Sequence, residues 1–149
     1  MAKLYNEILI SAPVEKIWST LSNVEELDKY DPTVAKSMTL SQNKSGVGAM
    51  RKVTMQDGKN WFEERCTACE PNKALTYELT ACSFPVSELK HSYRFEQIGG
   101  QVKVTQVMEY QVKFGVLGKI MDALMVRRQT DGGIKKFFTG LKSYMERKQ

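Results

Sequence analysis

A series of short turns between alternating apolar and polar runs most limits how this chain of 149 residues can fold. The runs cover about residues 34–43, 48–56, 59–69, 74–82, 87–98 and 101–114. The turns between them include Asp57-Gly58, Pro71-Asn72 and Gly99-Gly100. Connections this short favour antiparallel pairing of strands that follow one another along the chain. The pattern therefore predicts a six-stranded antiparallel meander.

Each turn also predicts which residues face each other across a pair of strands. The turn at Asp57-Gly58 pairs Val53 with Phe62 and Arg51 with Glu64. The turn at Pro71-Asn72 pairs Cys66 with Tyr77, Ala68 with Leu75 and Glu64 with Leu79. The turn at Gly99-Gly100 gives four pairs: Phe95 with Val104, Tyr93 with Gln106, His91 with Met108 and Leu89 with Tyr110. All three registers gather the apolar alternates on one face, as a sheet with one buried side requires.

Helices and one further strand are expected outside the meander. Residues 3–10 alternate as a strand, the stripe from Val14 to Leu21 predicts a helix, and Asn23 with Glu26 resembles a capping box that starts a short helix through about Leu27 to Tyr30. From Val116, apolar residues three or four apart predict a C-terminal helix of about thirty residues, roughly 45 Å long, with a kink or break at Gly132-Gly133. We expect one α+β domain over residues 1–149, with about seven strands and the long helix covering the apolar sheet face.

Composition excludes several classes of protein. The chain is 42% hydrophobic and 26% charged, with neither a membrane-spanning run nor a signal-peptide core, so we expect a cytoplasmic protein without stable membrane insertion. The net charge is +5, but basic and acidic residues are mixed, which favours solvated faces over nucleic-acid binding. Cys66 and Cys69 are expected on opposite faces of one strand, and a single His accompanies them, so we expect no metal site and no cofactor.

Arg51 and Glu64 stand out because the predicted register places both charges in an otherwise apolar row. Burying either charge alone is costly, so the two side chains should pair. Three interpretations remain open: a salt bridge that only fixes the hairpin, a register slip that puts both in water, or a functional pair. In the last case Glu64 acts as a general acid or base, and Arg51 holds a ligand carboxylate or stabilises an enolate-like oxygen.

Other polar and adaptable side chains are expected on the same face. His91 could relay protons, although a lone histidine on an apolar face is more often a satisfied core residue. Tyrosine hydroxyls there either bind the polar end of a ligand or find backbone partners, and methionines suit an irregular hydrophobic ligand. The candidate ligand-binding residues are Phe62, Tyr77, Tyr93, Gln106, Met108, Tyr110, Met121 and Met125.

Several segments resemble the START-like superfamily, which includes birch-pollen-allergen proteins and polyketide cyclase/dehydrase-type domains. The segments are Ile8-x-Ile10-Ser11-Ala12-Pro13-Val14-x-Lys16-Ile17-Trp18, then Gly48-Ala49-x-Arg51 with Asp57-Gly58 and Glu64, and finally Tyr77 and Phe84-Pro85-Val86. The chain departs from this branch at two positions. Gln106 and Tyr30 stand where relatives often carry Trp.

This resemblance implies a helix-grip fold, in which a curved sheet wraps the C-terminal helix and leaves a cavity for a hydrophobic small molecule. Some enzymes of the similar branch use an Arg and a Glu, which implies cyclisation, dehydration or isomerisation by proton transfer at Arg51 and Glu64. The alternatives are a non-catalytic carrier or sensor of a lipid or metabolite, and a protein-interaction module with a filled cavity. A homodimer remains open.

Overall fold

The computed structural model describes residues 2–113 and 127–147, which form a seven-stranded antiparallel sheet and three helices. The strands are β1 (Ala2–Ile10), β2 (Val34–Thr39), β3 (Met50–Met55), β4 (Trp61–Glu70), β5 (Ala74–Cys82), β6 (Val86–Ile98) and β7 (Gln101–Val112). The helices are α1 (Val14–Ser22), α2 (Leu27–Tyr30) and α3 (Arg127–Arg147). The strand order β1-β7-β6-β5-β4-β3-β2 confirms the predicted meander, with the N-terminal strand added beside β7.

Turn chemistry explains why most predicted registers are confirmed. At the β3–β4 turn Gly58 has φ 73°, a left-handed conformation that glycine adopts without strain, and Arg51 pairs with Glu64. Across β6 and β7, His91 pairs with Met108 and Tyr93 pairs with Gln106. The two-residue turns therefore fix which side chains share the buried face.

A bulge in β4 overturns one predicted pair. The register shifts between Cys66 and Ala68, so Ala68 faces Thr76 instead of Leu75, and Cys69 takes the position opposite Leu75. The extra residue also cancels the expected alternation of Cys66 and Cys69. Because their partners Tyr77 and Leu75 are two residues apart on β5, the two cysteines lie on the same face, contrary to the expectation from spacing alone.

The two short helices pack at one end of the sheet. Trp18 of α1 donates its indole N–H to the carbonyl of Ala74 on β5, at 3.2 Å. The start of α2 differs from the expected capping box, because its N-cap is Glu26 and no side chain caps it. Instead, the Asn23 side-chain oxygen accepts a hydrogen bond of 2.9 Å from the backbone N–H of Glu25, which stabilises the turn before the helix.

Helix α3 lies along β1 and contacts α2. Asn6 donates to the Asp131 carboxylate at 3.1 Å, and Lys142 donates to the carbonyl of Leu9 at 2.8 Å. Of the kink or break expected at Gly132-Gly133, the break is absent, because the helix is continuous from Arg127 to Arg147. The rest of the predicted helical stripe, including Met121 and Met125, lies outside the described residues.

The tight contact between α3 and α2 depends on one glycine. A Cβ at position 140 would overlap the backbone carbonyl of Tyr30, whereas Gly132 and Gly133 face open space. The missing side chain lets α3 approach the end of α2, which brings Phe137 against the Tyr30 ring at a centroid distance of 5.7 Å. Over the described part of the chain, no helix combines the length and hydropathy needed to cross a bilayer.

Candidate functional site

Three ionisable side chains from three different strands meet on the core side of the sheet. Arg51 on β3, Glu64 on β4 and His91 on β6 are only 3%, 1% and 8% exposed. The register of each hairpin places them on this face. Arg51 faces Glu64 directly, and β5 lies between the other two residues, with Leu79 opposite Glu64 and Tyr77 opposite His91. The prediction of a buried, paired Arg51 and Glu64 is therefore the arrangement observed.

Hydrogen bonds connect these residues to two more polar side chains. Both Nε and Nη2 of Arg51 donate to Oε2 of Glu64 at 2.6 Å. The other carboxylate oxygen of Glu64 lies 2.7 Å from Nε2 of His91. The second ring nitrogen of His91 lies 3.0 Å from the Tyr93 hydroxyl, which also accepts a 3.0 Å hydrogen bond from Gln106. We call Arg51, Glu64, His91, Tyr93 and Gln106 the polar chain.

The direction of each hydrogen bond follows from the donor at either end. Gln106 donates to the Tyr93 oxygen, so the Tyr93 O–H is free to donate to Nδ1 of His91. The carboxylate of Glu64 only accepts, so Nε2 of His91 must carry a proton. One neutral tautomer of His91, protonated on Nε2, satisfies every one of these contacts.

The charge of Arg51 controls the ionisation of Glu64. Burial alone would raise the pKa of the Glu64 carboxyl, but the charges of Arg51 and His91 and the hydrogen bonds from both side chains outweigh it and hold that pKa at about 2. Burial opposes ionisation of Arg51 as well, yet the Glu64 charge raises the pKa of the guanidinium above its ordinary value. The pair is thus a fixed ion pair at neutral pH, with Glu64 as a carboxylate that has both oxygens engaged.

Aromatic rings enclose the polar chain. The Arg51 guanidinium lies 4.6 Å from the centroid of the Tyr77 ring, which stacks on His91 at 5.6 Å. The Tyr77 hydroxyl donates to the carbonyl of Leu21 in α1, at 2.9 Å, so it already has a backbone partner. On the helix side, Phe137 of α3 lies 6.1 Å from the Tyr93 ring.

Within the described residues, four buried side-chain atoms have no hydrogen-bond partner, and three of them belong to this region. They are Nη1 of Arg51, Oε1 of Gln106 and the hydroxyl of Tyr30, while the fourth, Oγ1 of Thr39, is on β2. Burial raises the pKa of Tyr30 and the charge of Arg51 partly offsets that rise, so the two groups lie within electrostatic range of each other. Unpartnered buried polar atoms are rare in folded proteins, so each of these three atoms is a candidate contact for a bound molecule.

Tyr30 is a site residue that the sequence reasoning did not select. Tyr30 lies at the end of a four-residue helix, which is too short to show a periodic pattern. In the sequence it stands out only because relatives often carry Trp at this position. The available signal was local: an aromatic residue before Asp31-Pro32, at a helix end that must turn the chain into β2.

The remaining predicted residues are placed as follows. Met108 and Tyr110 lie on β7 on the same face as Gln106, with Tyr110 fully buried and Met108 half-buried opposite His91. Phe62 is half-buried further along β4, with its ring 6.3 Å from that of Phe84, so it lines the end of the face rather than the polar chain. The structure therefore joins Arg51, Glu64, His91, Tyr77, Tyr93 and Gln106 through direct contacts, while Phe62 packs against Phe84.

Neither the surface depressions nor a cluster of metal-binding side chains coincides with the polar chain in the described part of the protein. Open depressions lie on the surface between α2 and α3, where both share Pro32, Gly140 and Ser143, and no residue of the polar chain lines either one. Among residues 2–113 and 127–147, no group of three or more His, Cys, Asp or Glu side chains is arranged to hold a metal ion.

Chemically, the polar chain joins a fixed cation to a neutral imidazole and a phenol. Arg51 has a free N–H for an oxygen with developing negative charge, as in an oxyanion hole. The imidazole of His91 has an acceptor nitrogen bonded to the Tyr93 hydroxyl and a carboxylate behind it. This is the arrangement of a proton relay in which the carboxylate stabilises the imidazolium that forms.

Solved structures of low sequence identity share this fold. A START superfamily protein from Mycobacterium smegmatis superposes with a TM-score of 0.81 at 14% identity, over 99% of both chains. The ginseng major latex-like protein 151 from Panax ginseng gives 0.77 at 12% identity, over 97% of both chains. The di-domain ARO/CYC protein BexL, from the BE-7585A biosynthetic pathway, gives 0.79 at 15% identity over 98% of this chain and 47% of its own.

Comparison at the level of sequence identifies the family. No curated protein matches the chain. The family model described as "Polyketide cyclase / dehydrase and lipid transport" matches residues 1–146. Together with the helix-grip relatives, this match over nearly the whole length confirms the predicted resemblance. The chain belongs to the polyketide cyclase/dehydrase and lipid transport family.

Proposed function

We propose that residues 1–149 form one domain that binds a hydrophobic small molecule against the polar chain and transfers a proton to or from it. The observation that carries this proposal is the buried cluster of Arg51, Glu64 and His91, with a guanidinium N–H that has no partner. Family members are described as cyclases, dehydrases and lipid-transport proteins, which supports a hydrophobic ligand. The candidate reactions are cyclisation, dehydration and isomerisation.

In this proposal the proton is exchanged by His91 through Tyr93, and Glu64 is a positioning residue. A carboxylate with a pKa of about 2 and both oxygens engaged is a weak base. The Tyr93 oxygen removes a proton from a carbon next to the ligand carbonyl while its own O–H proton moves to Nδ1 of His91. The C–H electron pair forms the enolate, whose oxygen accepts a hydrogen bond from Arg51, and Glu64 stabilises the resulting imidazolium.

A test that needs no knowledge of the natural ligand is deuterium exchange of a simple ketone. We expect the wild-type protein to accelerate exchange of the methyl protons of 2-acetylnaphthalene in D₂O, measured by proton NMR. Tyr93→Phe and His91→Gln should each lower the rate by at least about 100-fold, the usual size of a general acid–base contribution, with binding retained. Tyr5→Phe is the matched control, because its hydroxyl lies on the exposed side of β1 and bonds only Glu7 among the described residues.

A non-catalytic carrier is the second candidate, and one observation favours it. The hydrogen bonds of Glu64 are already complete, so the pair would serve equally well as a rigid polar anchor for a bound molecule. Binding of 2-acetylnaphthalene without accelerated exchange would support the carrier and contradict the catalytic part of the proposal. Failure of any hydrophobic probe to bind would contradict both, and would favour a protein-interaction role.

A further inference from the structure

We infer that the polar chain selects a ligand with a neutral oxygen group, a ketone or hydroxyl, and rejects a carboxylate. This inference rests on the proposed ligand-binding function and names the chemical class of the ligand's polar end. It replaces the expectation that Arg51 anchors a ligand carboxylate. It also adds Tyr30 to the site as a residue that contacts the polar end of the ligand.

The first argument is the balance of charge at the site. Arg51 already has a carboxylate, because two of its nitrogens donate to the same oxygen of Glu64 at 2.6 Å. His91 is neutral in the tautomer that satisfies its hydrogen bonds. With His91 in that tautomer the polar chain has no net charge, and a ligand carboxylate would add a buried charge that nothing compensates.

The surroundings make an added negative charge still less favourable. Asp31 follows Tyr30 in sequence, and burial raises the pKa of its carboxyl, although hydrogen bonds from Thr33 and the Arg51 charge lower it in part. The basic side chains Lys135 and Lys136 of α3 line an open surface depression and not the polar chain. The second depression, which Tyr30 and Asp31 line, has Lys29 and Arg147 on its open surface, and the Arg51 charge is already paired with Glu64.

The second argument is the set of groups without partners. Nη1 of Arg51 is a donor, Oε1 of Gln106 is an acceptor, and the Tyr30 hydroxyl is both. Each belongs to a residue no more than 4% exposed. A carbonyl oxygen can accept from Arg51 and Tyr30, and a hydroxyl can also donate to Gln106. A carboxylate would accept from the first two but would place its negative charge beside an acceptor at Gln106.

Two probes of almost equal shape separate the alternatives. 2-Acetylnaphthalene has a methyl group where 2-naphthoate has a charged oxygen, and the two compounds are otherwise identical. Naphthalene, a third compound, lacks the polar group. Dissociation constants for all three would be measured by fluorescence at pH 7.5. We expect the ketone to bind at least about tenfold more tightly than the carboxylate, which corresponds to about 1.4 kcal/mol.

Variants show whether the polar chain causes the preference. Glu64→Gln leaves the cation of Arg51 uncompensated, so naphthoate should gain at least about tenfold in affinity relative to the ketone. Tyr30→Phe should weaken binding of the ketone several-fold without changing the affinity for naphthalene, because only the ketone accepts a hydrogen bond from the Tyr30 hydroxyl. Tyr5→Phe is again the matched control, and thermal unfolding of each variant shows that it is folded.

The outcomes distinguish this inference from the proposed function. Equal or tighter binding of naphthoate by the wild type would overturn the inference and leave ligand binding intact. A ketone preference that Glu64→Gln does not change would also overturn it, since the preference would then come from elsewhere. If none of the three compounds binds, the proposed function fails and the inference fails with it.

Discussion

Removal of the Arg51 charge should strongly destabilise the protein. Arg51→Met keeps an unbranched side chain of similar length but leaves the Glu64 carboxylate, 1% exposed, with His91 as its remaining partner. Breaking a buried ion pair on one side costs about 3–5 kcal/mol. For a chain of this length that loss corresponds to a fall of roughly 10 °C in melting temperature.

The lowered pKa of Glu64 gives the net stabilisation of its carboxylate by folding, after the burial that opposes it. The carboxyl titrates at an ordinary value of 4.5 when unfolded and at about 2 when folded, which corresponds to about 3 kcal/mol at about 1.36 kcal/mol per pKa unit. Because the folded pKa is the lower one, this stabilisation is present above pH 4.5 and is lost as the pH falls towards 2. In Arg51→Met the burial that raises the pKa of Glu64 remains while the compensating charge is gone, so protonation should begin to relieve the variant at a pH above 4.5.

Urea unfolding of the wild type and Arg51→Met between pH 7 and pH 3 measures both effects. The difference in free energy of unfolding should be largest at pH 7 and should shrink as the pH falls. Lys52→Met is the matched control, because Lys52 lies on the opposite face with its ammonium 4.8 Å from the Trp61 ring and should change stability by less than about 1 kcal/mol. A cost below 1 kcal/mol for Arg51→Met at pH 7, or parallel curves across this pH range, would refute the reasoning.

Two further substitutions test the packing that positions the site. Gly140→Ala should lower the free energy of unfolding by at least about 2 kcal/mol, because the added Cβ overlaps the carbonyl of Tyr30. Gly132→Ala faces open space and should raise the free energy of unfolding by up to about 1 kcal/mol through helix propensity. Chemical denaturation of both variants measures this difference, and equal effects would contradict the close contact at Gly140. Tyr77→Phe removes the hydrogen bond to Leu21 and should cost about 1 kcal/mol in the same assay, while an unchanged stability would show that this hydroxyl does not hold α1 to the sheet.

Sequence patterns predicted the fold well where turn chemistry sets the geometry. The glycines at 58 and 99 have positive φ, and the registers that they set place Arg51 opposite Glu64 and Tyr93 opposite Gln106. A period of two then decides which face each residue joins, so the composition of the buried face follows from the register.

The patterns failed where the backbone departs from regular geometry. The bulge between Cys66 and Ala68 has no turn residue to mark it, and it moved Cys69 to the face of Cys66. Helix α3 is continuous through Gly132-Gly133 despite a helix-propensity cost of about 2 kcal/mol for the two glycines. Local propensity alone predicted neither outcome.

The candidate site was predicted as a set of residues and not as a network. Register placed Arg51, Glu64 and His91 on one face, but the hydrogen bonds that join them depend on rotamers that no pattern encodes. Those bonds change the roles, since they leave Glu64 saturated and give His91 one donor and one acceptor. Tyr30 enters the site through the packing of α3 on α2, which only the folded chain shows.

A crystal structure of the protein saturated with 2-acetylnaphthalene tests the central claim most directly. We predict that the compound lies between the sheet and the C-terminal helix, with its oxygen about 3 Å from Nη1 of Arg51. Density for the compound in the depression beside Pro32 and Gly140, with the face of the polar chain unoccupied, would contradict the account.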